Sequence, residues 1–168
     1  DYGRIVQNVF TVAKTGAHDL ARFYDGLQAT HKGVPSHLTA IGHSYGSLTT
    51  GLAPQDPGSH GVTDTIFYGS PGIEASTPQE LQLQPGHVYA METPDDPIQW
   101  VYDSKPILQS LPFGLGDIAR DAEAFGMGDF GSNPATNPNF TQLATGPAAV
   151  PDGPGGTLRL EGAHCHRD

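Results

Sequence analysis

The spacing of apolar residues predicts a long amphipathic helix near the start of the chain. Between Ile5 and Leu27, apolar residues recur at helical spacing, three, four or about seven positions apart. They are Ile5, Val9, Val12 or Ala13, Leu20, Phe23 and Leu27. Gly26, Gly33 and Pro35 then predict the end of the helix, because glycine and proline interrupt helical segments.

Four short apolar runs bounded by turn residues predict β-strands. They are Leu38–Ile41, Asp64–Tyr68, His87–Met91 and Thr157–Leu160. A second helical stretch, Leu48–Ala53, follows the first run and is expected to end near Pro54 and Pro57. Because strands alternate with helical or irregular crossovers, the predicted fold class is α/β with a parallel sheet.

The region from about residue 104 to 156 has a different character. It is rich in glycine, proline and asparagine and carries four scattered phenylalanines: Phe113, Phe125, Phe130 and Phe140. A loop of this length in a compact domain is usually functional or disordered. We interpret it as a cap-like insertion over the site with a short helix around residues 118–124, the alternative being a solvated excursion without a role in substrate binding.

Composition and charge narrow the class of protein. The 168 residues suit one domain with a modest core, since only 36% are hydrophobic while 22 are glycine and 15 are proline. The formal net charge of −10 argues against nucleic acid or an anionic membrane surface as a partner. No apolar run approaches membrane-spanning length, and the first residues do not form a signal-peptide pattern. Cys165 is the only cysteine, so no disulfide can form within the chain.

The sequence Gly42-His43-Ser44-Tyr45-Gly46 stands between the first predicted strand and the second predicted helix. Gly-x-Ser-x-Gly in that position predicts a nucleophile elbow, a strained turn with the serine at its tip. The turn needs flanking residues without a bulky Cβ substituent, which Gly42 and Gly46 satisfy. Ser44 is the predicted nucleophile, and the Tyr45 amide at the helix N-terminus is the predicted oxyanion donor. The alternative is an ordinary turn between a strand and a helix.

A nucleophilic serine needs a base and a third group that orients the base. In α/β-hydrolases the acid and the histidine follow the serine along the chain, each just beyond a later strand. After the third predicted strand we favour Asp96 as the acid, because Pro97 stiffens its turn. Asp95 is the second candidate and Glu92 the third. The alternative is an acidic turn that caps the next helix.

Two histidines compete for the role of base. His164 and His166 both follow the fourth predicted strand, where the fold would place the base. His43 and His87 are weaker candidates, since His43 lies inside the elbow itself. A different interpretation uses the same residues as metal ligands: His164, Cys165, His166 and Asp168. Adjacent residues seldom complete a tetrahedral site without ligands from elsewhere, which disfavours a metal-binding module.

The stretch from Leu38 to Ser47 resembles the actinobacterial α/β-hydrolase family designated DUF1023, whose usual elbow is Gly-His-Ser-Tyr-Gly-Ser. Further similar stretches lie mostly between residues 20 and 100: Ala21–Leu27, Tyr68–Gly72, Asp96–Ile98 and, more loosely, Gly128–Gly131. The resemblance implies a serine hydrolase with Ser44 as nucleophile and Asp96 as acid. The family's histidine lies in a Gly-His-Ser-like turn, which His166 fits best, with Cys165 and Arg167 in place of the glycine and the serine.

One feature departs from the fold that this resemblance implies. Only one predicted helix precedes the elbow, whereas an α/β-hydrolase has earlier strands and a loop that supplies a second oxyanion donor. We therefore expect residues 1–168 to form a single, partial domain. A second chain or a missing N-terminal segment would complete it, since the elbow strand would otherwise be an exposed edge.

These observations predict an enzyme that hydrolyses small-molecule carboxylic esters, most consistent with acyl or lipid-like ones. Ser44 would attack, His166 would take its proton and Asp96 would hold the imidazole. The reaction requires no cofactor. The alternative is a hydrolase-like scaffold that has lost catalysis and serves as an interaction domain.

Overall fold

The computed structural model describes residues 2–31, 33, 37–98 and 131–164. Two α-helices lie within these ranges, α1 (Tyr2–Thr30) and α2 (Tyr45–Leu52). The strands of the same ranges are β1 (Leu38–His43), β2 (Val62–Tyr68), β3 (Val88–Met91), β4 (Thr141–Gln142), β5 (Ala148–Pro151) and β6 (Thr157–Leu160). Single 3-10 turns occupy Ala53–Gln55, Pro78–Leu81 and Pro134–Thr136.

Strands β1 to β4 form one parallel sheet in the order β1-β2-β3-β4. This confirms the predicted parallel α/β architecture. Parallel strands place all their carboxyl ends at one edge of the sheet, which is where ligands bind in open α/β folds. The loops at that edge are tied together, because Ser44 N donates to Tyr68 O over 3.1 Å and Gly69 N donates to Met91 O over 3.3 Å.

The prediction that Thr157–Leu160 is the last strand of the parallel sheet is wrong. These residues form β6, which pairs antiparallel with β5 in a separate two-stranded sheet. All four side chains of β6 are exposed, so the strand buries no apolar face against the core. The fourth parallel strand is the two-residue β4, which immediately follows the buried Phe140. Burial of Phe140 in the core brings β4 beside β3.

Part of the predicted insertion at 104–156 therefore belongs to regular structure. Residues 141–142 lie in the parallel sheet and residues 148–151 lie in the hairpin. The short helix predicted around residues 118–124 lies outside the described residues.

Helix α1 is confirmed, but its buried stripe agrees only in part with the predicted one. Of the predicted positions, Ala13, the alternative to Val12, is buried and Leu20 is half-buried, whereas Val12, Phe23 and Leu27 are exposed. Ala17, Ala21 and Tyr24 complete the buried stripe. The small side chains of Ala13, Ala17 and Ala21 let α1 lie close to α2 and β1. None of the helices in the described ranges is long and apolar enough to cross a membrane.

A second apolar cluster joins β2 and β3 to residues of the loops that follow these strands. It consists of Phe67, Ile73, Ala75, Leu81, Leu83, Val88 and Phe140. The 3-10 turn that carries Leu81 begins at a capping box, in which Thr77 and Glu80 exchange side-chain and backbone hydrogen bonds. This packing covers the face of β2 and β3 that carries Phe67 and Val88.

Candidate active site

Ser44 lies at the tip of the turn between β1 and α2, with φ 52° and ψ −132°. Serine at positive φ costs on the order of 1–3 kcal/mol and persists only where its surroundings enforce it. The Ser44 amide is held by Tyr68 O, and the Ser44 carbonyl accepts from Ser47 N over 3.0 Å. The structure thus contains the sharp strand–serine–helix turn that the sequence predicts.

The two glycines of the turn differ in what they permit. A Cβ at Gly42 would lie 2.7 Å from Ser47 Cα and 3.0 Å from Thr50 Cβ, which is closer than packed atoms approach. A Cβ at Gly46 would meet no atom within 4 Å in the described part of the chain. The steric argument for a small residue therefore holds at Gly42 and has no such counterpart at Gly46.

Tyr45 begins α2 and anchors it to α1. Its side chain packs against Ala13 and Leu48, and burial raises the pKa of the Tyr45 phenol. The Tyr45 amide belongs to the first turn of α2, where backbone N–H groups have no intrahelical acceptor. The anchored side chain and the helix dipole therefore present a fixed, partly positive amide beside Ser44.

Ser47 and Ser70 form a buried polar contact beside the elbow, and sequence reasoning assigned them no role. Ser47 is 0% exposed and Ser70 is 2% exposed, and their Oγ atoms are 2.6 Å apart. Ser70 directly follows Gly69 at the carboxyl end of β2. A polar residue just after the carboxyl end of a strand next to the elbow strand is the sequence signal that could have identified Ser70.

The acidic turn after β3 separates the candidate acids by burial. Asp96 is 3% exposed, and its Oδ1 accepts a hydrogen bond from Ile98 N over 2.9 Å. Asp95 is exposed to solvent. Glu92 is half-buried and accepts from Asn133 Nδ2 over 3.0 Å. Both aspartates follow β3 at the sheet edge of Ser44, where Asp96 is buried and Asp95 is in water.

The histidines lie in different parts of the fold. His43 stacks on Tyr68, with ring centroids 4.4 Å apart and an interplanar angle of 18°. His87 precedes β3 and its Nδ1 is 2.8 Å from Asp64 Oδ1, at the sheet edge opposite to the elbow. His164 is exposed and follows the β5–β6 hairpin. His166 lies outside the described residues, so its role as base stays a prediction.

The metal-binding interpretation stays a prediction as well. His164 is the one member of that ligand set within the described residues, while Cys165, His166 and Asp168 lie outside them. Across residues 2–31, 33, 37–98 and 131–164, no group of three or more His, Cys, Asp or Glu residues could hold a metal ion.

Comparison with known proteins assigns the chain to a family. The model of a family described as alpha/beta hydrolase matches residues 6–106, which is more than half of the chain and includes the elbow, β1 to β3 and Asp96. No solved structure gives a significant match.

The curated relatives are mycobacterial and longer than this chain. Two uncharacterized proteins, one from Mycobacterium bovis and one from Mycobacterium tuberculosis, are each 36% identical over 140 residues. That alignment covers 83% of this chain and 43% of each relative. Another uncharacterized protein of Mycobacterium tuberculosis is 32% identical over 125 residues, covering 74% of this chain and 18% of its own length. The parallel sheet, the elbow at Ser44 and the family match lead to one conclusion: this chain belongs to the alpha/beta hydrolase family.

Proposed function

We propose that this chain carries the catalytic residues of a serine hydrolase that cleaves small-molecule carboxylic esters, with acyl or lipid-like esters as the substrate class. Family membership indicates a hydrolase. The observation that carries the finer proposal is the backbone of Ser44, at φ 52° between β1 and α2. Packing alone does not require a strained serine, whereas a nucleophile elbow uses that conformation to expose the hydroxyl.

The proposed reaction is acyl transfer through Ser44. Its Oγ attacks the ester carbonyl carbon while His166 takes the hydroxyl proton, and the Tyr45 N–H donates to the oxyanion of the tetrahedral intermediate. Collapse of the intermediate expels the alcohol, which receives the proton from His166. Water then attacks the acyl-enzyme with His166 again as base, releasing the carboxylic acid and restoring Ser44. His164 is the second candidate for this base.

The burial of Asp96 supports its role as the group that orients the base. A buried carboxylate is costly unless hydrogen bonds or a charged partner stabilise it, and Ile98 N supplies one such hydrogen bond. An imidazolium formed during the reaction would supply the opposite charge. The exposed Asp95 is in water and would interact weakly with such a partner.

We also propose that a further segment or a second chain completes the oxyanion hole. In α/β-hydrolases the second donor comes from a loop after an earlier strand. Within the described residues β1 is an outer strand of its sheet, and its Ile41 is 61% exposed. The chain spans 43% of the length of two curated relatives that it matches, which leaves room in such proteins for the additional strands.

Fluorophosphonate labelling of the full-length protein tests the proposal. We expect labelling of the wild type, none of Ser44→Ala, and normal labelling of Ser59→Ala, which replaces an exposed serine away from the elbow. Turnover of p-nitrophenyl esters of increasing acyl length would then identify the preferred chain. Absence of labelling in folded full-length protein would contradict the proposal and favour a hydrolase-like interaction domain without catalysis.

A further inference from the structure

The buried pair Ser47–Ser70 reaches the backbone of the proposed nucleophile. Ser47 Oγ lies 2.6 Å from the Ser44 carbonyl oxygen as well as 2.6 Å from Ser70 Oγ. Alanine at either position would keep most of the packing and lose only a hydroxyl. The hydrogen bonds of the two hydroxyls, among them the one from Ser47 to the Ser44 carbonyl, are therefore what distinguishes serine from alanine at these positions.

The donors and acceptors of this cluster are satisfied by hydrogen bonds running in one direction. A carbonyl oxygen only accepts, so Ser47 Oγ donates its single hydrogen to Ser44 O. Because that hydrogen is used, the 2.6 Å contact between the hydroxyls requires Ser70 Oγ to donate to Ser47 Oγ, and the Gly72 carbonyl is the more distant acceptor at 3.3 Å. Gly72 N in turn donates to Ser70 Oγ over 3.1 Å. The series runs from the loop after β2 to the Ser44 carbonyl, which also accepts from Ser47 N.

The direction of the Ser44 carbonyl determines the direction of the Tyr45 amide. Both groups belong to one planar peptide unit, and in a trans peptide the C=O and the N–H point in opposite directions. The described residues contain no cis peptide bond. A carbonyl held towards Ser47, in the body of α2, therefore directs the Tyr45 N–H out of the helix N-terminus.

We infer that Ser47 and Ser70 are positioning residues that hold the Ser44–Tyr45 peptide in the orientation needed for oxyanion stabilisation. This inference rests on the proposed function, because acyl transfer at Ser44 is what creates an oxyanion there. Removing an oxyanion donor outright lowers kcat about 10²–10³-fold. Losing the restraint leaves the donor in place with greater rotational freedom, so the expected loss is smaller, about tenfold in kcat.

Ser70→Ala, Ser47→Ala and the double variant, made in the full-length protein, test this inference with a p-nitrophenyl ester. We expect Ser70→Ala to lower kcat about tenfold with KM within about twofold of the wild type. The pH dependence of kcat should be unchanged, because neither serine is the base. The double variant should lose no more than Ser47→Ala alone, since Ser70 acts through Ser47.

Thr65→Val is the matched control. It removes a buried hydroxyl of β2 that has no hydrogen-bond partner among the described residues, and it should leave kcat unchanged. A wild-type kcat in folded Ser70→Ala, an equal loss in Thr65→Val, or losses that multiply in the double variant would overturn the inference. If Ser70→Ala does not fold, Ser70→Cys keeps a weak donor of similar size and should give an intermediate kcat; a wild-type kcat there counts against the inference.

The same experiment separates this inference from the proposed function. Turnover that depends on Ser44 but not on Ser47 or Ser70 overturns the inference alone. Absence of Ser44-dependent turnover in the wild type overturns both.

Discussion

Ser44 adopts a backbone conformation that costs free energy, and three hydrogen bonds offset that cost. Tyr68 O accepts from its amide, while the amide and hydroxyl of Ser47 donate to its carbonyl. Asp96 is also stabilised by a hydrogen bond, since its buried carboxylate accepts from Ile98 N. Two of the three side chains proposed for catalysis, Ser44 and Asp96, thus belong to residues that hydrogen bonds hold in place at this edge of the sheet.

The identity of the base gives a prediction at single positions. His166→Ala should lower kcat about 10²–10⁴-fold, the usual contribution of a general acid–base group, while His164→Ala should stay within a few fold of the wild type. Ester turnover of the two variants in the full-length protein measures this difference. The reverse ranking would transfer the role to His164, and two active variants would mean that the base lies elsewhere in the chain.

Helix α2 and strand β1 are packed so closely at their junction that the elbow depends on the absence of a side chain. The Cα of Ser47 and the side chain of Thr50 occupy the space where a Gly42 Cβ would stand. Atoms that approach within 3 Å must move apart, and backbone atoms of a packed helix move at considerable cost.

Gly42→Ala and Gly46→Ala form a matched pair that tests this packing. We expect Gly42→Ala to lower the free energy of unfolding by about 1–3 kcal/mol, as overpacking does in cores. Gly46→Ala should leave stability unchanged or raise it by up to about 1 kcal/mol, because alanine is the better helix former and meets no described atom there. Urea denaturation followed by circular dichroism compares the two; equal stabilities would contradict the proposed steric requirement at Gly42.

Across the fold, a buried histidine joins α1 to the segment before β2. His60 Nδ1 is 2.9 Å from Asp25 Oδ1, and its Nε2 is 3.1 Å from Asp56 O. Both partners only accept, so the protonated imidazolium satisfies both contacts. Burial by itself lowers the pKa of His60, but the hydrogen bonds and charges of Asp25 and Asp56 outweigh it and raise the pKa above 6.5. His18 lies nearby, 2.7 Å from the Asp56 carboxylate.

This contact makes the stability of the protein depend on pH. Because the folded pKa of His60 is raised, its contribution is fully present below about pH 6.5, the unfolded value, and is lost as pH rises through the folded pKa. Urea denaturation from pH 6 to pH 8.5 should show a falling free energy of unfolding. The fall should be smaller in Asp25→Asn, which removes the carboxylate but leaves the His18–Asp56 pair. An identical fall in both proteins would assign the pH dependence to other groups.

Much of this fold follows from signals that are local in the sequence. The apolar periodicity predicts α1, short apolar runs between turn residues predict β1 to β3, and Gly-x-Ser-x-Gly predicts the turn at Ser44. These signals work because helix spacing, strand propensity and the conformational freedom of glycine act within a few residues. The same kind of local signal, the stiff turn that Pro97 makes, favours Asp96 over Asp95.

Other features arise only from contacts between distant residues. The two-residue β4 has no periodicity to detect and exists because Phe140 is buried beside β3, while Thr157–Leu160 has a strand pattern but finds its partner in β5. The alanine stripe of α1 is apolar only weakly, so its burial depends on how closely α2 approaches. Ser47 and Ser70 are 23 positions apart, and the parallel pairing of β1 with β2 brings them together. Local propensity is encoded residue by residue, whereas close packing and hydrogen bonds between separate strands and helices are decided only when the tertiary structure forms.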